Sequence, residues 1–150
     1  MEGTASVKSP PAEVVIDASC AIKWFTEEAD TDLSLRLRDA YYQSKVELYA
    51  PDLMAYEVAN ALRFKPRTPP KRLEEWIVDL FRMQIVLLPT TEDLLRHAAV
   101  LSQKWETSVY DAVYLALAES LGLQLVTADA RFFDKVRQSK RVLLLSTLEF

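Results

Sequence analysis

Four acidic residues stand where this chain turns from strand to helix. Asp17 closes the run Glu13-Val14-Val15-Ile16, Glu57 lies early in a helical stretch, Asp111 opens another, and Asp129 follows Leu125-Val126-Thr127-Ala128. Carboxylates that converge without cations repel and desolvate one another, so such a cluster is tolerable mainly when divalent metal ions neutralise it. Oxygen-only ligands select hard ions, Mg2+ or Mn2+. The chemistry of such a site is metal-assisted hydrolysis, and a phosphodiester is the substrate it suits.

Each acid also has a plainer role open to it. Asp17 can be a turn residue or share helix capping with Ser19. Ser108-Val109-Tyr110-Asp111 fits the capping-box spacing, and Asp129 can cap the helix expected over Ala130 to Val136. Glu57 is harder to account for in this way. Its neighbours Met54, Tyr56, Val58 and Ala61 are largely apolar, Asn60 sits one turn on, and an acid beside a core face needs a partner. The case for a site therefore rests on all four acids meeting.

The elements that would bring them together alternate along the chain. Glu13 to Ile16 is a β-branched strand run, Ser19 to Phe25 reads as the helix after it, and Asp30 to Tyr42 repeats apolar residues at helical spacing. Val46 to Ala50 is a second strand, after which Pro51 at a first helical position and Asp52 in the first turn start a helix to about Phe64. Pro70 starts a helix through Leu73, Trp76, Ile77, Leu80 and Phe81, and Ile85 to Leu88 is a third strand. Thr91 to Trp105 is helical, Ser108 caps a helix ending near Gly122, and Leu123 to Thr127 is a fourth strand. The short helix Ala130 to Val136 and a last strand, Val142 to Leu145, complete the order. Alternation of this kind predicts an α/β fold with a central parallel sheet and helices on both faces. In such sheets ligands collect beyond the carboxyl ends of the strands, where strand order reverses. All four acids can approach that rim.

Composition narrows the function. The 150 residues make one domain, 1–150 with its core at about 13–145, in which half the residues are hydrophobic and 27% charged. No apolar run is long enough to span a bilayer, and Met1 to Pro11 reads as a short polar leader, so a cytoplasmic protein is expected. The single cysteine, Cys20, rules out an intrachain disulfide and fits a buried small hydrophobe. The single histidine, His97, lies beside the apolar stripe of a helix. One histidine and one cysteine argue against structural zinc, two-histidine ribonuclease chemistry and a Ser-His-Asp triad. The net charge of −4 is unusual for a nucleic-acid binder, but Arg63 to Arg72 carries five cations and no acid. That segment reads equally as a solvated loop or as a track for phosphate.

Four segments together resemble a known family. Val14-Val15-Ile16-Asp17-Ala18-Ser19, Tyr56-Glu57-Val58-Ala59-Asn60-Ala61-Leu62, Tyr110-Asp111-Ala112-Val113-Tyr114-Leu115-Ala116-Leu117-Ala118 and Leu125-Val126-Thr127-Ala128-Asp129 look like the successive motifs of PIN-domain proteins. The nearest group is the VapC-type toxins of prokaryotic toxin–antitoxin pairs, and the resemblance runs from about Val14 to Val136. Each motif is short, but their order, their spacing and an acid in each make the match specific. The resemblance implies that Asp17, Glu57, Asp111 and Asp129 are the metal-site acids, with Ser19 and Thr127 as supporting polar groups and Asn60 behind them. Asp134 is the one candidate for a further acid after the fourth motif. It also implies a PIN-like three-layer sandwich, homodimers, and a VapB-type antitoxin whose C-terminal segment enters the active-site groove.

The implied activity is that of a Mg2+- or Mn2+-dependent endoribonuclease. Asp17 and Asp111 would anchor the metal, Glu57 and Asp129 would complete or orient its shell, and water would attack in line to leave 5′-phosphate and 3′-hydroxyl ends. Single-stranded or looped RNA suits a site at an open rim, and Lys23, Arg63 and Lys65 are candidates for backbone contacts. Haloacid-dehalogenase-like enzymes need a second Asp two residues after the first, where this chain has Ser19. A response-regulator receiver needs paired acids and a late lysine that do not stand out here. The remaining alternative keeps the fold and discards the chemistry, as a non-catalytic PIN-like module that binds RNA or protein.

Overall fold

The computed structural model describes residues 9–150, so the leader expected over Met1 to Pro11 lies mostly outside the described residues. Five strands, β1 (Glu13–Ile16), β2 (Glu47–Pro51), β3 (Val86–Leu88), β4 (Gln124–Thr127) and β5 (Val142–Leu144), form one sheet. Seven helices connect and follow them: α1 (Ala18–Ile22), α2 (Thr31–Tyr42), α3 (Leu53–Arg63), α4 (Pro70–Arg82), α5 (Glu92–Trp105), α6 (Val109–Leu121) and α7 (Ala130–Val136). Every pairing is parallel, in the order β3-β2-β1-β4-β5. Val14, Val15 and Ile16 of β1 are fully buried, as a central strand covered on both faces requires. The fold is the expected three-layer α/β sandwich.

Strand order reverses beside β1. The chain steps outward from β1 to β2 and β3, then crosses back through α5 and α6 to set β4 against the other side of β1. Ile16 is in register with Val126, and the Asp17 backbone N–H donates to the Val126 carbonyl at 3.3 Å. The ends of β1 and β4 are thus adjacent at the switch point, the place where an open parallel sheet leaves a crevice. Helix α6 packs across β1, β2 and β4, and an unbroken buried run, Ala112 to Ala118, seats it there.

Three boundaries differ from the sequence-based expectation. Pro51 does not start α3. It closes β2 opposite Leu88 of β3, and Asp52, whose N–H donates to the Leu88 carbonyl at 2.9 Å, stands at the cap position before Leu53. Proline is tolerated as the terminal residue of a strand, where one ladder donor is dispensable. The first helix stops at Ile22 rather than Phe25, and Leu145 belongs to a 3₁₀ turn, Leu145–Thr147, rather than to β5. Among the described residues, no helix is long and apolar enough to cross a membrane.

The short α1 is held by α2 rather than by its own length. Ser34, fully buried on α2, donates its hydroxyl to the Cys20 carbonyl at 2.6 Å, while the Trp24 indole N–H donates back to the Ser34 carbonyl at 2.9 Å. Cys20 itself is fully buried, with its thiol held in the protonated form chiefly by that burial. Ser34→Ala removes one arm of this clasp and is expected to lower stability by about 1 kcal/mol, the usual net value of such a bond. Urea denaturation measures it, and an unchanged midpoint would show that the hydroxyl does not hold α1.

Candidate active site

Asp17, Glu57, Asp111 and Asp129 line one cavity of about 330 Å3, together with Ala18, Ser19, Ile22, Asn60, Ala61 and Tyr114. No lysine, arginine or histidine is among these residues. A larger cavity of about 480 Å3 opens between Ser9, α2 and Phe150, but its charged residues, Arg36, Asp39, Lys45 and Glu149, are of mixed sign. Of these two cavities, the one around the four acids gathers charge of one sign.

Asp17 is the buried member, 7% exposed at the end of the central strand. It takes the position before α1 without capping it, because its side chain is engaged elsewhere. The Ser19 hydroxyl donates to one carboxylate oxygen and the Thr127 hydroxyl to the other. Each hydroxyl in turn accepts a backbone N–H, Ser19 from Ala128 at 2.9 Å and Thr127 from Asp129 at 3.1 Å. A hydroxyl that accepts a backbone proton has its own proton to give, so both relays point donors at Asp17. Burial still outweighs them, and with a smaller push from Asp111 it raises the Asp17 carboxyl to about 6.

Asp111 follows the N-cap of α6. Ser108 accepts the Asp111 N–H at 3.0 Å, which is half of a capping box, but the Asp111 carboxylate accepts from the Thr107 hydroxyl at 3.4 Å. Burial and then repulsion by Asp129 raise its pKa, and Lys135 on α7 offers only a weak opposing pull. Asp111 also repels Asp17 and Glu57. It is the electrostatic centre of the group.

Glu57 projects from α3 and accepts the Tyr114 hydroxyl of α6 at 2.6 Å. Burial, against that hydrogen bond, raises its pKa, and Asp111 adds to the rise. Asp129 does cap α7, one oxygen accepting the N–H groups of Arg131 at 3.0 Å and Phe132 at 3.1 Å. Its plainer role and its place on the cavity are both real, since a carboxylate has a second oxygen to offer.

The remaining sequence candidates divide. Ser19 and Asn60 line the cavity, and Thr127 stands behind Asp17. Asp134 is not among the lining residues; it is 70% exposed and lies 3.9 Å from Arg137 on the outside of α7. Lys23 and Lys65 meet on a single partner, Glu28, beside the cavity residues Ile22 and Ala61. Arg63 lies over the ring of exposed Phe64 instead. His97 is paired with Glu119 at 2.6 Å, between α5 and α6.

Two residues beside the site carry no local signal in the sequence. Tyr114 lies within the third motif, but the motif gives it no role of its own, although its place three residues after Asp111 sets it on the same helical face. Glu28 lies in an irregular loop, and nothing local marks it as the partner of Lys65, 37 residues away.

The four carboxylates face one another around the cavity, and among the described residues no three ligating side chains already close into an ion-sized cage. Their chemistry nonetheless suits a hard divalent cation. The donors are all oxygen, three of the four have raised pKa values, and no cationic side chain lines the space between them.

Comparison with known proteins agrees with the motifs. The PIN domain family matches residues 14–138. The chain is 32% identical to Ribonuclease VapC3 of Pyrobaculum aerophilum over 127 residues, covering 82% of this chain and 94% of that protein. It is also 32% identical to Ribonuclease VapC3 of Mycobacterium tuberculosis over 129 residues, covering 85% and 90%. A solved toxin-antitoxin complex from Klebsiella pneumoniae shares the fold, with a TM-score of 0.65 at 14% identity over 88% of this chain and 97% of that one. Family match, full-length relatives and an acid in each of four motifs agree, and the chain belongs to the PIN domain family, among its VapC-type members.

Proposed function

We propose that this protein is a divalent-metal-dependent endoribonuclease, the toxin of a VapBC-type pair. The observation that carries the reading is four carboxylates around one cavity with no cation among its lining residues. The names of its relatives, ribonucleases in two organisms, supply the substrate class, and the toxin-antitoxin complex of its structural neighbour supports a protein inhibitor. Exposed Tyr56 on α3, Phe64 just past its end, and Val109 and Tyr110 on α6 are consistent with a homodimer. A cytoplasmic location is where such a pair and its RNA would meet.

Asp17 and Asp111 would hold the metal, with Glu57 and Asp129 completing the set. When bound, Mg2+ or Mn2+ acidifies water and stabilises charge building on the phosphate. The protein's own contribution is placement. Ser19 and Thr127 fix both oxygens of Asp17, Thr107 steadies Asp111, and the backbone of α7 fixes one oxygen of Asp129. A phosphodiester entering this rim passes Lys23 and Lys65, two ammonium groups sharing one carboxylate and therefore carrying a net positive charge. Single-stranded RNA can lay its backbone there.

Asp111→Asn is expected to abolish metal-dependent cutting of a mixed RNA panel while circular dichroism stays native. Asp17→Asn should do the same and also melt at a higher temperature than the wild type in EDTA at pH 7, because it removes a desolvated charge. Full activity in either variant would break the site.

Metal affinity should fall on acidification from pH 7 to 5, since Asp17, raised to about 6, takes up a proton that must leave before an ion can bind, and the upward shifts of Glu57 and Asp111 act in the same direction. The linked stability runs the other way without metal. The raised Asp17 pKa favours the folded state fully below its ordinary value of 3.8, and that contribution is lost as pH rises through about 6. Calorimetric Mn2+ titrations at several pH values test the first point, and a flat affinity would contradict it.

The double variant Lys23→Ala, Lys65→Ala, in an Asp111→Asn background that prevents cutting, should bind RNA more weakly. Two lost phosphate contacts would lower the slope of log affinity against log salt by up to about 1.4. An unchanged slope would leave these lysines a purely structural clamp.

A further inference from the structure

We propose that Tyr114 is a positioning residue for the metal site, its hydroxyl fixing the Glu57 carboxylate in the orientation that receives a divalent ion. This rests on the reading above that the four acids hold such an ion. Glu57 and Tyr114 come from α3 and α6, helices that the chain joins only through β3 and two further helices. Their side chains nevertheless meet inside the cavity at 2.6 Å, and the tyrosine is 2% exposed.

The contact has the features of an orienting bond rather than of incidental packing. A tyrosine buried in an otherwise apolar helix needs a partner for its O–H, and here the partner is one of the four acids. The donor takes Oε1 of Glu57 and leaves Oε2 as the oxygen free to meet a ligand. One hydroxyl of α6 therefore fixes a carboxylate of α3 across the cavity. Ser19 and Thr127 do the same for Asp17, each standing between a backbone N–H and a carboxylate oxygen. Glu57 is the member of the set that has no backbone or short side-chain support of its own among the described hydrogen bonds, and Tyr114 supplies it.

Residues that orient metal ligands typically contribute about 10–100-fold in affinity when removed. The test is Mn2+ binding by isothermal titration calorimetry, with no RNA present, on wild type, Tyr114→Phe, Glu57→Gln and the double variant. Tyr114→Phe deletes one oxygen and keeps the ring. Tyr114→Met, which retains most of the buried volume without a donor, is a second route should the phenylalanine variant not fold. The expected result is a loss of about tenfold or more in either Tyr114 variant, with thermal melting in EDTA within a few degrees of wild type. In the Glu57→Gln background the further loss should disappear, because the tyrosine acts through that carboxylate. Equal Mn2+ affinity in wild type and Tyr114→Phe, or the same loss in both backgrounds, would overturn the role of Tyr114 and leave the metal site standing. A wild type that binds no Mn2+ would instead overturn the metal reading and this inference with it.

Discussion

Negative charge without a matching cation is the constraint on which the rest of this structure depends. Four carboxylates share one cavity, and Lys135, the cation on α7 that acts on the central one, does so weakly. Each acid is held in place by something other than an opposite charge. A core of fully buried aliphatic residues on β1 and β4 carries the strain of placing Asp17 at their ends, and the helix run Ala112 to Ala118 anchors the face opposite. The apolar core is the counterweight that lets a repulsive cluster persist.

Hydroxyl groups carry most of the local organisation. Ser19, Thr127 and Tyr114 each present a proton to a carboxylate, and two of them obtain their own orientation from a neighbouring backbone amide. A hydroxyl relay supplies direction without adding formal charge, so it orders the acids while leaving their negative charge for a ligand. A lysine in the same place would have neutralised the site. The distribution of charge follows the same division, with Lys23 and Lys65 outside the cavity on Glu28 and the acids within it.

Much of this was legible in the chain. The strand runs at Glu13 to Ile16 and Ala130 to Val136 as a helix appear with the boundaries read from their periodicity, and the parallel sheet follows from alternation alone. The four acids were legible because each follows a strand end or lies in the first turns of a helix, positions that one rule of sheet topology collects at one edge. Pro51 misled because proline at a helix start and proline at a strand end look alike until the partner strand is known. Tyr114 and Glu28 were invisible for a common reason: their meaning lies in contacts with Glu57 and Lys65, far along the chain, and no local pattern encodes a long-range hydrogen bond. Asp134 shows the opposite error, an acid at a plausible spacing that the helix turns outward to Arg137.

Asp129 serves two masters, one oxygen capping α7 and the carboxylate as a whole lining the cavity. Over evolutionary time that dual service makes the site erode unevenly. Asparagine and serine cap helices about as well as aspartate, so a lineage released from selection for activity can drift to them at this position and keep its last helix intact. Apolar replacements would fray α7 and be purged for stability even where activity no longer matters. Among descendants that have stopped cutting, the fourth motif should therefore stay polar after the first and third have lost their acids, and polarity at that position is a poor witness to catalysis.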